Sequence, residues 1–138
     1  MTLQGFLDAQ DAGGTYDRAL AELRAGRKTS HWMWFVFPQV SGLGESEMSR
    51  RYAIGSLAEA RAYVEHPTLG PRLRECAAAV LGHADSSAEE ILGGIDAVKL
   101  RSSMTLFARA APGEALFGEV LAAFYGGLPD ERTESLIG

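Results

Sequence analysis

The chain has 138 residues, 46% hydrophobic and 22% charged, and its 13 basic and 18 acidic side chains leave a net charge of −5. That length fits one domain at roughly 100–200 residues each, and the apolar share excludes a disordered chain. The acidic balance argues against binding a nucleic-acid polymer, which needs a basic face to displace counterions from phosphate.

Helix signals dominate along the chain. Residues 3–10 form the first expected helix, with Thr2 as its N-cap. Residues 16–25 carry Leu20 and Leu23 on one face, between Thr15 and the left-handed stop offered by Gly26. The run from His31 to Phe37 is apolar all round, so periodicity does not separate a buried helix from a buried strand. Its β-propensity favours a strand, but no second convincing strand exists to pair with it. Ser30 as N-cap and Pro38 as terminator favour a short core helix. Residues 40–47, with Gly42 and Gly44, read as a loop. Ser56 followed by Glu59 fits a capping box opening a helix to about Glu65, where the His66-Pro67 step disfavours continuation. Gly70-Pro71 starts a helix through Leu73, Cys76, Ala77 and Val80 that ends near Gly82. Ser87 and Glu90 repeat the box ahead of Ile91 and Leu92. Asp96 is the expected cap of a helix over 97–110, which Pro112 stops. A last long helix spans 114–125, closed by Gly126-Gly127, and one terminal turn follows Asp130. The expected fold is all-α: a single compact domain over 1–138, of about seven helices, with the aromatic segment central to its core.

No apolar run approaches the ~20 residues that cross a bilayer, and Met1 to Gly5 lacks the basic start and apolar stretch of a leader. A cytoplasmic protein without membrane association is the expectation. Cys76 is the one cysteine, which suits a reducing compartment.

Several motifs dissolve on inspection. Gly26-Arg27-Lys28-Thr29 resembles the tail of a P-loop, but Arg27 stands where glycine belongs and a helix precedes it. Gly42-Leu43-Gly44 lacks the third glycine and the βαβ unit of a dinucleotide fingerprint. Cys76 and His83 lie seven apart on one helical face, about 10 Å along the axis, too far for one ion. No metal or other cofactor is expected, and Cys76 reads as a small buried side chain. Arg50, Arg51, Arg72 and Arg74 read as solvated helix faces with glutamate partners such as Glu47 and Glu75.

Two blocks concentrate the chemistry. Residues 32–37 hold both tryptophans and four of the twelve aromatics. Most of that run is core, yet one short helix does not easily bury every side, so Trp32 or Trp34 is expected to line a cleft. Beside it stand Arg27, Lys28, Ser30, His31 and Gln39. His31 is the natural proton carrier if chemistry occurs, although a lone histidine at a helix start is more often structural. The second block is Lys99, Arg101, Ser102 and Ser103, with Leu100, Met104, Phe107 and Ala111 as the apolar stripe. Cations beside hydroxyls early in a helix suit an anion, through the positive helix end, free N–H groups and the arginine fork. The plainer alternative pairs Arg101 with a surface glutamate, and a Lys99–Ser103 nucleophile pair ranks below both. The function expected is recognition of a small anionic, nucleotide-like ligand. Lys28, Ser30, His31, Trp32, Trp34, Gln39, Lys99, Arg101, Ser102 and Ser103 are the candidate contacts. Whether a reaction follows stays open. The alternative is a protein-interaction or self-associating module without catalysis, its partner unspecified; in a third reading both blocks only build the core.

The block from Gly26 to Gln39 (Gly-Arg-Lys-Thr-Ser-His-Trp-Met-Trp-Phe-Val-Phe-Pro-Gln) is distinctive. With it stand Ser41-Gly42-Leu43-Gly44-Glu45-Ser46, Tyr52-Ala53-Ile54, His66-Pro67-Thr68-Leu69-Gly70 and Lys99-Leu100-Arg101-Ser102-Ser103-Met104-Thr105. Together, from about Phe6 to Leu136, the chain resembles the bacterial family catalogued as domain of unknown function 1810, some members of which carry the label calpastatin. The resemblance implies a single, mainly helical domain, and so a helix at 31–37; it brings no activity, cofactor or catalytic residue. Family members often show a Pro-Asp-Asp-Leu type sequence where Ile95-Asp96-Ala97-Val98 stands here, which removes any role for an acid at Ala97. The final turn, Thr133-Glu134-Ser135-Leu136, is also more polar than usual. A calpain inhibitor of the calpastatin type is a long, largely disordered chain that folds on its protease, whereas this sequence is apolar and rich in caps. The label therefore reads as transferred nomenclature.

Overall fold

A computed structural model of the chain describes residues 3–137, and among these it forms ten α-helices, one 3-10 turn and no strand. In order they are α1 (Leu3–Asp11), α2 (Thr15–Arg24), α3 (Met33–Val36), α4 (Glu47–Arg51), α5 (Leu57–Glu65), α6 (Leu69–Leu81), α7 (Ala88–Leu92), α8 (Gly94–Ala110), α9 (Leu116–Tyr125) and α10 (Glu131–Ile137). The 3-10 turn, Ala12–Gly14, joins α1 to α2. Val40 and Ile54 meet in one isolated parallel bridge around α4.

The longest helix, α8, is the axis of the fold: α5, α7, α9 and α10 lie against it, while α6 bridges α2, α5 and α9. The expected stripe of Leu100, Met104 and Phe107 is buried, but so are Ser102, Ser103, Thr105 and Leu106 between them, and Ala111 is half-buried. Two of these hydroxyls turn back on the helix: Ser102 Oγ donates to the Val98 carbonyl (3.3 Å) and Thr105 Oγ1 to that of Arg101 (2.8 Å). Phe6, Trp32, Phe37, Tyr63, Phe107 and Phe117 belong to one cluster of buried side chains drawn from five segments of the chain.

The aromatic segment is helical for a single turn only. Trp32, not Ser30, is the N-cap residue of α3, and no side chain caps it. Ser30 instead turns its hydroxyl toward α2. Asp96 likewise is not the cap of α8: Gly93, at φ +87 and ψ 161, takes that place, and the helix starts at Gly94. A positive φ of this kind is open to glycine and strained for other residues. α4 was not expected; Ser46 opens it by accepting from the Ser49 amide. The Ser87–Glu90 box is complete. At α5 only half of the expected box exists, because Glu59 reaches past Ser56 to accept from the Gly55 amide (2.9 Å). The Thr2 cap lies outside the described residues.

The His66-Pro67 step ends α5 and His66 then starts α6, its Nδ1 accepting from the amides of Thr68 and Leu69 at 3.1 Å each. Gly70 seats α6 on the end of α5 so closely that a Cβ there would come within 2.1 Å of the Val64 carbonyl oxygen. Two arginines expected on solvated faces are partly buried ties: Arg72 to Asp11 (2.8 Å) and Arg74, doubly bonded, to Glu114. Glu75 does pair with an arginine, but it is Arg24 (3.6 Å). Arg51 lies over the Tyr52 ring.

Candidate functional site

The site begins with a residue that no sequence motif marks. Glu22, on α2, accepts four hydrogen bonds: from the amides of Thr29 (2.8 Å) and Ser30 (3.0 Å), from Ser30 Oγ (2.6 Å) and from Trp32 Nε1 (2.9 Å). Burial pushes its carboxyl up, but these donors, Ser30 Oγ foremost, outweigh burial and hold it down at about 2. The segment 27–32 is thereby fixed to α2. Its other anchor is the Lys28 amide, which donates to the Ile91 carbonyl at the end of α7 (2.7 Å).

So held, Lys28 Nζ reaches Asp96 Oδ2 at 2.9 Å and lies 5.2 Å from the centre of the Trp32 ring. Lys99 Nζ approaches the other oxygen of Asp96 at 3.7 Å and lies 5.2 Å from the Trp34 ring. Each of the chain's two lysines thus sits over one of its two indoles, with Asp96 between them. Lys28 is nearly enclosed, its side chain 9% exposed. A charge so placed is sustained only by a partner, which Asp96 supplies.

Beside this cluster opens a hollow of about 390 Å³, walled by Lys28, His31, Met33 and Trp34 on one side and by residues 92–96 and Lys99 on the other. The start of α8 forms its lip. Gly94, Ile95 and Asp96 occupy the first turn, where backbone amides have no acceptor within the helix and the helix end is positive. His31 is exposed at the rim. A second hollow of about 300 Å³ adjoins the first and shares Ile95 and Lys99 with it; Gln39, Leu43, Gly44, Ser49 and Val98 complete it.

Of the expected contacts, then, Lys28, His31, Trp34 and Lys99 meet in one hollow and Gln39 lies in its neighbour. Trp32 is fully buried and bonded to Glu22, and Ser30 is bonded there too. Arg101, Ser102 and Ser103 do not line either hollow. Arg101 donates to the carbonyls of Leu128 (2.9 Å) and Pro129 (3.2 Å) and covers Tyr125, so its fork is occupied by the α9–α10 connection and pairs with no glutamate. Ser102 and Ser103 are buried, and Ser103 Oγ has no hydrogen-bond partner among the described residues. Among the described residues, no cluster of three or more His, Cys, Asp or Glu could hold a metal ion, and no helix is long and apolar enough to cross a membrane.

This architecture is shared. A crystal structure of the conserved hypothetical protein Rv1873 from Mycobacterium tuberculosis, at 52% identity, superimposes with a TM-score of 0.94 over 98% of this chain and 95% of that one. No curated protein matches the sequence. The profile of the family described as protein of unknown function (DUF1810) matches residues 1–137. The chain belongs to the DUF1810 family.

Proposed function

We propose that the hollow between the tryptophan segment and the first two turns of α8 binds a small anionic ligand with a flat portion, of the nucleotide or sugar-phosphate kind. One observation carries the reading: two ammonium groups, the unused amides of a 17-residue helix and an indole converge on one solvent-reachable opening. Asp96 cancels one of the two lysine charges, and the remaining positive charge adds to that of the helix end. Trp34 supplies the wall for a flat group. The anion-holding set is Lys28, Lys99 and the amides of Gly94, Ile95 and Asp96, since Arg101, Ser102 and Ser103 are engaged or enclosed elsewhere. If the ligand is transformed, His31 is the residue placed to move a proton. We place the protein in the cytoplasm, a reading supported by its one thiol, Cys76, being free and buried.

The test is titration of nucleoside monophosphates and sugar phosphates, followed by tryptophan fluorescence and thermal shift. Lys99→Met keeps the stem and removes the charge, and it is expected to weaken binding about tenfold or more, one lost charge-assisted contact being worth about 1.5–3 kcal/mol. Arg101→Ala is expected to leave affinity unchanged. No response across the panel, or equal loss in both variants, defeats the reading. A second reading rests on Ile95 and Val98, 77% and 62% exposed: they would seat a protein partner or a second copy. Concentration-dependent light scattering that Val98→Asp abolishes would favour it.

A further inference from the structure

We infer that the site is bipartite, the second hollow receiving an uncharged, mainly apolar arm carried by the same anion; this rests on the reading of the first hollow as an anion site. The two hollows adjoin at Ile95 and Lys99, which line both. Ile95, Val98 and Lys99 stand three and four apart and so share one face of α8. The two aliphatic side chains on that face remain largely exposed, although the neighbouring residues Ala97 and Leu100 are buried. A ligand running from the first hollow into the second crosses these side chains and covers them.

The lining sets the chemistry of the arm. Lys99 is the sole charged group of the second hollow; Leu43, Ile95 and Val98 are aliphatic, and Gln39 and Ser49 offer hydrogen bonds to a hydroxyl or ester oxygen. The shape of this wall is fixed, because a Cβ on Gly44 would come within 2.4 Å of Ser49 Cβ, so the loop rests on α4 with no room for a side chain. Size points the same way. Volumes of about 390 and 300 Å³ each fall at the small end of the roughly 300–1,000 Å³ that ligand pockets occupy, while the two together fall well inside it. The ligand class is an amphiphilic phosphomonoester, its head between Lys28, Lys99 and the α8 lip, its tail over Val98 against Leu43.

Calorimetric titration of the full chain with methyl, butyl and hexyl phosphate tests this. Affinity is expected to rise about three- to fourfold for each methylene that enters the second hollow. In Val98→Asn, which adds polarity without charge at an exposed position, the hexyl-to-methyl affinity ratio is expected to fall toward one. Lys99→Met is expected to weaken all three esters. If methyl phosphate binds and the longer esters bind no tighter, the bipartite site is overturned and the anion site stands. If none of the three binds, both fall. A length dependence that survives Val98→Asn overturns the placement of the arm.

Discussion

Glu22 joins stability to the site, and acid should reveal it. Its carboxyl lies near an ordinary 4.5 in an unfolded chain and at about 2 in the folded one. At about 1.36 kcal/mol per pH unit, the gap is worth at most about 3.5 kcal/mol, and partial contact with solvent brings the expectation to about 2 kcal/mol. The folded pKa is the lower one, so this stability is complete above about pH 4.5 and drains away as pH falls toward 2. Glu22→Gln removes the charge but keeps the shape, so it should cost about 2 kcal/mol at pH 7 and almost nothing extra near pH 2. Urea unfolding at several pH values, read by circular dichroism, gives the difference between variant and parent. Other depressed carboxylates, Glu114 beside Arg74 among them, also weaken in acid, but they cancel in that difference. A gap between the two proteins that stays constant from pH 7 to pH 2.5 would refute the account. So would a gap that widens in acid.

Three further outcomes follow from packing. Gly70→Ala should destabilise the fold by about 3 kcal/mol or more in urea melts, since its Cβ has only 2.1 Å to the Val64 carbonyl and the ends of two helices must part. Ser103→Ala should be neutral or stabilising by up to about 1 kcal/mol, because it removes a buried hydroxyl without a partner; a loss above that size would mean the hydroxyl is bonded. Burial pushes the Cys76 thiol up to about 12, so alkylation by iodoacetamide at pH 8 should track global unfolding, and rapid labelling of the native protein would contradict the burial.

Most helices were legible because their ends are written locally. The Ser87–Glu90 box, the His66-Pro67 break, Pro112 and Gly126-Gly127 each act within one turn of the residue that signals them. The differences at Asp96, Arg101 and Glu22 share one physical origin, a polar side chain satisfied by a distant partner. Asp96 has the composition of a cap but stands at the third helical position, drawn to a lysine 68 residues away. Arg101 resembles an anion fork but is used up on two carbonyls beyond α9. Glu22 looks like any acid on a helix face; its only local hint is that Thr29 and Ser30, rich in donors, follow the end of α2. At five residues, α4 is too short to show a period, and its Ser46 cap stands inside the stretch read as a loop. The first hollow was legible as two blocks of sequence, and which residues of each block face it was not.

The proposed anion site is compatible with an acidic chain because of distance. Charges more than about 8–10 Å from the opening are largely screened at physiological salt, so a net −5 spread over the surface counts for little there. The local inventory is two lysines, one aspartate and one helix end. Asp96 makes this inventory foldable. Without it, Lys28 would be nearly enclosed beside another ammonium, at a cost of several kcal/mol. At the third position of α8, its charge also favours the positive end of the helix. The acid therefore serves the fold and leaves about one unneutralised positive charge facing the hollow. A surplus of that size suits the proposed phosphomonoester head better than a polyphosphate.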